Sequence, residues 1–293
     1  MPTVALVTAA EAEPLDEDLP PLVDALLARD AVPEVAVWDD PAVDWATFDV
    51  VVLRSTWDYH SRRDEFCAWA DAVATSTVLC NPAPVIRWNT DKRYLSELAA
   101  AGIDVVPTRF LEPGDAVGLI DAPEVVVKPA VSAGSRDTAR HAIGDDAGRA
   151  AAEDHVAELL AARRVVMVQP YLEEIDEHGE TAVICIDGVV SHAIRKGPLL
   201  RPGVAPTRAL FAEEQISARE PTDAELALAR ATLGACADLL GADALLYARV
   251  DMIPGPGGDP VLLELELTEP SLFFETAPGS ADRFAAGVVA RAR

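Results

Sequence analysis

No GxxxxGK[ST] loop occurs anywhere in the 293 residues and no GxGxxG follows the first apolar strand, so Walker A and Rossmann nucleotide sites are excluded. The five histidines, His60, His141, His155, His178 and His192, show no HExxH-type spacing. The four cysteines, Cys67, Cys80, Cys185 and Cys236, form no CxxC or Cys/His cluster. The common zinc arrangements are therefore missing, and the cysteines read as reduced, buried, small apolar side chains. No Ser-His-Asp or Cys-His arrangement, internal repeat or low-complexity tract is present. Basic residues are scarce: 24 Lys and Arg stand against 49 Asp and Glu, a net charge of −25. Such a surface is repelled by phosphate backbones and anionic lipid, so neither nucleic acid nor membrane is expected as a partner. A small anion in a locally basic cleft is still allowed. No apolar run reaches membrane-spanning length, and the opening residues 2–8 lack the basic segment of a signal peptide. A cytoplasmic protein is the expectation.

What the chain does have is an ordered succession of strands and helices. Half its residues are hydrophobic, and its length suggests two units. Strands at 4–7, 35–38, 50–53 and 77–80 alternate with helices at 19–28 and 62–75, which predicts a small parallel α/β unit with a boundary near residue 83. The strand 50–53 runs into Arg54-Ser55-Thr56-Trp57-Asp58-Tyr59, where ligands usually enter such sheets; a polar loop with a packed Trp is the alternative. A helix at 91–101 follows. From about residue 125 the strands become antiparallel in style, with a hairpin 181–193 turning at Gly188 and a long helix at 223–240.

The last strand, 261–267, carries Glu264 and Glu266 two residues apart, hence on one face, with Leu263, Leu265 and Leu267 on the other. A turn-forming segment, 254–260, joins it to the apolar strand 245–253, so a hairpin would bring Asp251 across from Glu264. Three converging carboxylates repel one another, and a hard cation such as Mg²⁺ relieves this best. An edge hairpin with a solvated acidic face is the alternative. Three further signals precede the hairpin. Lys92 falls in the first turn of the 91–101 helix, where a cation opposes the helix dipole and an anion bound nearby would account for it. Lys128 ends the apolar strand 125–128. The loop 130–138 that follows is rich in small residues and hydroxyls, which let backbone N–H groups approach phosphates.

In this order, Lys92, Lys128-Pro129, the small-residue loop, the strand 165–168 running into Gln169-Pro170-Tyr171-Leu172, then Asp251 and Glu264/Glu266 resemble the ATP-grasp superfamily. The resemblance implies an α/β ATP-grasp fold, a small parallel α/β N-terminal domain (1–83) followed by two α+β subdomains clasping ATP (84–293). The lid subdomain would span about 113–170 and the C-terminal subdomain about 171–293. It also implies roles. Lys92 and Lys128 would hold the ATP phosphates, with Ser132, Gly134, Ser135 and Thr138 in the loop closing over the γ-phosphate. Gln169, Tyr171 and Leu172 would form the adenine hinge, and Glu180 would take the ribose hydroxyls. Asp251, Glu264 and Glu266 would hold two Mg²⁺ ions. One departure is that Glu266 stands where the family commonly has Asn. Another is the displaced Pro270, which leaves substrate contacts around Thr268, Glu269 and Ser271 open.

ATP-grasp enzymes phosphorylate a carboxylate and let a nucleophile displace the phosphate. Phosphoryl transfer needs positioning and charge cancellation more than proton chemistry, and Arg195, Arg249 and Lys128 are the catalytic candidates; Arg195-Lys196 as a solvated strand end is the alternative. Residues 54–59, Trp88-Asn89-Thr90-Asp91-Lys92-Arg93-Tyr94-Leu95, the segment 191–198 and Glu264-Leu265-Glu266-Leu267-Thr268-Glu269-Pro270 are similar to the ATP-grasp group containing the D-cycloserine-forming cyclo-ligase. That resemblance implies activation of the carboxylate of O-ureido-D-serine and attack by its own ureido nitrogen, with loss of the carbamoyl group. Arg54, Thr56, Trp57, Asp58, Tyr59 and Ser271 would then contact the amino-acid-like substrate, and a homodimer is the candidate assembly. An intermolecular carboxylate–amine ligase of glutathione-synthetase or dipeptide-ligase type is the runner-up, and a non-catalytic nucleotide-binding protein the alternative outside enzymes.

Overall fold

Alternating apolar strands and amphipathic helices build the first layer. The structure, a computed structural model, describes residues 1–210, 214–241 and 245–292. Strands β1 (Thr3–Thr8), β2 (Val32–Val37), β3 (Val50–Ser55) and β4 (Val78–Cys80), with helices α1 (Leu19–Leu27) and α2 (Arg63–Ser76), form a parallel sheet ordered β2-β1-β3-β4. β1 and β3 are central and covered on both faces, so their sequences are continuous apolar runs. Val4, Leu6, Val50 and Val52 pack with α1, while Ala5, Val7, Val51 and Leu53 pack with α2.

The helix predicted at 91–101 is α4 (Tyr94–Ala100), which starts three residues later, and a further short helix that the sequence reading lacks, α3 (Ala83–Asn89), started by Pro82 and Pro84, precedes it. Lys92 therefore lies in the turn between them, not in a first helical turn. The Asp91 carboxylate accepts the Arg93 N–H (3.1 Å), and the Lys92 N–H donates to the Ala130 carbonyl (2.9 Å). The dipole argument for Lys92 falls away, and its place is fixed by this tie to the loop after Lys128.

A second, antiparallel sheet, ordered β5-β8-β6-β7, consists of β5 (Arg109–Leu111), β6 (Glu124–Pro129), β7 (Ala139–Ala142) and β8 (Val166–Pro170). Helix α5 (Asp146–Ala161) covers it, with Ala152, Val156 and Leu159 packed on Val125, Val127, Val166 and Val168. After the single-turn α6 (Ile175–His178) comes the third sheet. It is built from β9 (Glu180–Ile186), β10 (Val189–Lys196), β11 (Ile216–Arg219), β12 (Tyr247–Pro254) and β13 (Pro260–Glu266), antiparallel and ordered β11-β10-β9-β12-β13. Helix α7 (Asp223–Leu240) has the predicted bounds. Thr222 and Glu225 exchange capping bonds at its start, and Gly241, at φ 60°, ends it in a left-handed conformation that costs a glycine little.

α7 covers one face of the third sheet through Ala229 and Cys236. On the other face, Ile184 and Ile194 share a core with helix α8 (Ser280–Arg291) and with Leu6 and Val50 of the first sheet. Asn81 locks this junction: its side-chain amide donates to the Tyr247 and Leu267 carbonyls (2.9 and 2.8 Å) and its oxygen accepts the Leu246 N–H (2.8 Å).

Two β-bulges shape the third sheet. In the β9–β10 hairpin Val190 faces Cys185 but His192 faces Ile184, so Ser191 is extra and Lys196, not Arg195, pairs with Glu180. In β12–β13, Asp251 does face Glu264 as the hairpin reading expects, but Met252 faces Leu262. Leu263 is therefore the extra residue. It lines the cleft described below, while Leu262, Leu265 and Leu267 enter the core. The expectation that Leu263 leaves the face opposite to Glu264 is thus corrected: the bulge breaks the two-residue period there.

Candidate active site

A cleft of about 470 Å³ is lined by residues of the second and third sheets, with residues 15–18 and Trp57 of the first unit beside them. Among the described residues four cations line it, one from each of four segments: Lys92 from the α3–α4 turn, Lys128 from β6, Lys196 from β10 and Arg249 from β12. Lys92 Nζ donates to the Ser132 carbonyl (2.6 Å) and pairs with Glu264 (3.1 Å). Lys196 Nζ lies 2.6 Å from both Asp251 and Glu180. Arg249 holds Asp251 at 2.9 Å, bonds Glu266, and donates to the Ser271 carbonyl (3.1 Å). Lys128 is buried and makes no ion pair among the described residues. Burial pushes its ammonium pKa down, with Glu264 pulling the other way.

Asp251, Glu264 and Glu266 line one wall. Burial opposes ionisation of Asp251, but Arg249 and Lys196 outweigh it and hold its carboxyl well below the usual range. Glu264 is also lowered: burial raises it, and Lys92 and Lys128 more than offset this. Burial pushes Glu266 up to about 7, with the like charges of Asp251 and Glu264 adding to it against the pull of Arg249. Among the described residues no three carboxylate, His or Cys side chains form a ready-made metal cage. The donor set still suits a hard divalent cation. Its ligands are oxygens, Asp251 and Glu264 are direct cross-strand partners, and added positive charge would relieve Glu266.

The backbone that presents these carboxylates is pinned by two residues that the sequence reading quotes within the segment 88–95 but gives no role. Asn89 donates to the Leu265 carbonyl and accepts the Leu267 N–H, both at 2.7 Å, and the Tyr94 hydroxyl bonds Leu265 at 2.8 Å. An Asn and a Tyr flanking a charged turn read as ordinary helix-end residues, and only the fold shows that they fix β13.

The loop after Lys128 lines the cleft with Ser132, Gly134, Ser135 and Thr138. Gly134 (φ 60°) and Ser135 (φ 58°) are both left-handed, which turns the chain sharply there. The Asp137 N–H donates to the Thr207 carbonyl (3.0 Å), so the segment before β11 straps this loop. Gln169, Tyr171, Leu172 and Glu180 line the cleft beyond it. Gln169 donates to the Thr108 hydroxyl (2.8 Å), and Tyr171 bonds Asp176 (2.6 Å) beneath the Arg140 guanidinium. Burial pushes Glu180 up to about 8 even with Lys196 beside it.

Arg195 does not reach the cleft. Its guanidinium donates to the His178 and Glu177 carbonyls (2.6 and 3.1 Å), because the Ser191 bulge turns it outward and Lys196 inward. The first-unit calls divide in the same way. Trp57 lines the cleft and donates its indole N–H to the Glu269 carbonyl (3.1 Å). Ser271 also lines it. Tyr59 is buried, stacked on Phe66, with its hydroxyl against the Glu269 carboxyl. Arg54 is buried away from the cleft between Asp16 (3.6 Å) and Asp18 (3.0 Å), since a guanidinium ending a fully covered strand needs carboxylates of its own. Thr56 is buried with no partner for its hydroxyl among the described residues, and Asp58 accepts from Trp38 (2.9 Å) and Arg62 (2.9 Å). Arg54, Thr56, Asp58 and Tyr59 thus stand behind the wall instead of lining the cleft.

Asp18, also unanticipated, accepts the N–H groups of Leu272 (2.6 Å), Phe273 (3.2 Å) and Phe274 (2.9 Å), which sets the turn after β13. In sequence it reads as one of several acids before a helix. Glu269, in the same turn region, lines the cleft, and burial followed by the like charge of Glu266 pushes it up to about 8.

The family model described as the N-terminal domain of D-cycloserine synthetase DcsG matches residues 4–81. The cycloserine biosynthesis protein DcsG of Streptomyces lavendulae is 40% identical over 304 residues, covering 99% of each chain. The crystal structure of D-cycloserine synthetase DcsG superposes with a TM-score of 0.89 at 38% identity, covering 99% of this chain and 100% of that one. The ATP-grasp ligase PsnB, complexed with its minimal precursor, shares the fold at 20% identity and a TM-score of 0.62, with both chains covered completely.

Proposed function

The chain belongs to the D-cycloserine synthetase DcsG family of ATP-grasp ligases, and from that premise we propose that it closes O-ureido-D-serine to D-cycloserine at the expense of ATP. The end-to-end identity of 40% carries this reading, because a grasp fold alone would suit any carboxylate–amine ligase. In the proposed reaction a carboxylate oxygen attacks the γ-phosphorus and ADP leaves. The ureido nitrogen bonded to oxygen then attacks the acyl carbon, forming the C–N bond and releasing phosphate. The carbamoyl group departs with one water as carbon dioxide and ammonia. Because nucleophile and electrophile belong to one molecule, no second substrate pocket is needed.

In this reading Lys92, Lys128 and the 132–138 loop hold the phosphates, and Gln169, Tyr171, Leu172 and Glu180 hold the nucleoside. Asp251, Glu264 and Glu266 would bind Mg²⁺, two ions in all, and the metal would cancel charge on the phosphate oxygens. Arg249, which bonds both Asp251 and the Ser271 carbonyl, orients the acidic wall toward the substrate carboxylate. Lys196 takes over the role expected of Arg195. We also keep the division into a unit at 1–83, a lid at about 113–170 and a C-terminal part from 171 as the working organisation. The enzyme is read as cytoplasmic, a candidate homodimer, and without nucleic-acid partners; no described helix is long and apolar enough to cross a membrane.

ADP release with Mg-ATP and each enantiomer of O-ureidoserine, with mass analysis of the product, tests the proposal. ADP together with a ring-closed product from the D enantiomer is expected. ADP formation only when a separate amine is supplied would replace it with an intermolecular ligase.

A further inference from the structure

Glu269 leaves the strap that follows β13 and is only 8% exposed, yet it lines the cleft. The other buried or half-buried carboxylates of that cleft are matched by cations. Asp16 and Asp18 have Arg54, Glu180 and Asp251 have Lys196, Glu264 has Lys92, and Glu266 has Arg249. Glu269 makes no ion pair among the described residues. A buried carboxylate without a cation costs free energy, and this one is held where it is. The Trp57 indole holds its carbonyl (3.1 Å), the Tyr59 hydroxyl meets its carboxyl, and Arg54 holds the next carbonyl, Pro270 (3.3 Å). Phe273, kept at φ 51° by its N–H bond to Asp18, lines the same cleft.

The connection to the chemistry runs through Arg249. Its guanidinium joins the acidic wall to the Ser271 carbonyl, two residues beyond Glu269. In an α-amino acid the ammonium and the carboxylate sit on the same carbon, so a carboxylate presented to the phosphoryl group carries its ammonium along at close range.

We propose that the Glu269 carboxylate receives the substrate's α-ammonium group, with Trp57 and Phe273 beside it, and thereby selects an amino acid over the corresponding deaminated acid. This rests on the amino-acid ligase reading above. Glu269 would be a specificity residue that touches substrate, and Trp57 and Tyr59 would be positioning residues that act through it.

The test compares O-ureido-D-serine with its deamino analogue, 3-(ureidooxy)propanoic acid, at saturating Mg-ATP, for the unaltered enzyme and for Glu269→Gln and Glu269→Asp. The unaltered enzyme should favour the amino acid by about 100-fold or more in kcat/KM, as expected where a buried polar group would otherwise lose its partner. Glu269→Gln should raise KM for the amino acid with little change in KM for ATP, and the preference should collapse toward unity. Glu269→Asp should retain most of it. Equal use of both acids by the unaltered enzyme, or an undiminished preference in Glu269→Gln, would overturn the proposal. So would an equal rise in KM for ATP, which marks a structural role. If the unaltered enzyme releases no ADP with O-ureido-D-serine, it is the substrate reading that fails. Calorimetry with Mg-AMPPNP then decides the subsite. D-serine bound more tightly than 3-hydroxypropanoate, with the difference lost in Glu269→Gln, upholds it. Equal affinity, or no binding of either, overturns it.

Discussion

Lys128 and Glu269 line the same cleft, both buried, and among the described residues each lacks the ion pair its charged neighbours have. Around Lys128 the other cations are already engaged: Lys92 with Glu264, and Lys196 and Arg249 with Asp251. At Glu269 the Tyr59 hydroxyl meets the carboxyl, the Trp57 indole holds the carbonyl, and the like charge of Glu266 stands nearby. A protein that buries a cation in one part of a cleft and a carboxylate in another, and pairs neither with the other, keeps both for a ligand carrying the opposite charges. ATP and a zwitterionic amino acid together supply them. The paired groups, by contrast, hold the wall in shape.

That contrast gives opposite expectations for stability and activity. Asp251→Asn should have the largest effect, since it removes the carboxylate that Lys196 and Arg249 share in a buried site and leaves each with one partner, Glu180 and Glu266. Breaking a buried pair costs about 3–5 kcal/mol, so chemical denaturation should show a large loss alongside lost turnover; an unchanged unfolding midpoint would remove Asp251 from the structural group. Lys128→Met should do the reverse. Turnover should fall by about 10²–10³-fold, the usual consequence of removing one electrostatic stabiliser of a transition state, while the thermal midpoint stays level or rises because an unpaired buried charge is gone. A lower midpoint would show that Lys128 has a partner in the free protein.

Trp57→Ala should sharpen the comparison at the Glu269 side. Losing one hydrogen bond to the Glu269 carbonyl is worth about 0.5–1.5 kcal/mol, so calorimetry should show several-fold weaker amino-acid binding with ATP affinity kept. Weaker ATP binding instead would place Trp57 in core packing. The smallest effect belongs to Arg195→Ala. Its guanidinium points away from the cleft, and stability should change by within about 0.5 kcal/mol with turnover nearly unchanged; a collapse of kcat would return Arg195 to the catalytic group.

Much of this was legible in the chain. The first sheet follows from four apolar runs and two amphipathic helices, α7 from the helical spacing of Leu226, Ala229, Leu233, Cys236 and Leu240, and the facing of Asp251 and Glu264 from the parity of one hairpin. Each miss has a local cause. A simple hairpin turning at Gly188 would place Arg195 opposite Glu180, and one extra residue, Ser191, moves Lys196 there. A second extra residue, Leu263, turns a side chain expected in the core toward the cleft. Bulges leave little trace in composition, and one residue of slip reverses every assignment beyond it. Arg54 and Asp58 look like ligands in sequence because they are polar at a strand end. Their partners, Asp16, Asp18 and Trp38, come from distant positions that no local pattern connects. Asn89 and Tyr94 stand in a quoted motif, but their bonds to β13 were hidden for the same reason.

The central claim is that this cleft activates a carboxylate by phosphorylation before the ring closes. It is tested most directly by supplying O-ureido-D-serine labelled with ¹⁸O in its carboxylate and analysing the phosphate released in Mg-ATP turnover. Attack of that carboxylate on the γ-phosphorus, followed by displacement of phosphate by nitrogen, transfers one labelled oxygen to each phosphate. Singly labelled phosphate appearing in step with ring-closed product is the predicted result, and unlabelled phosphate at the same turnover would contradict the account.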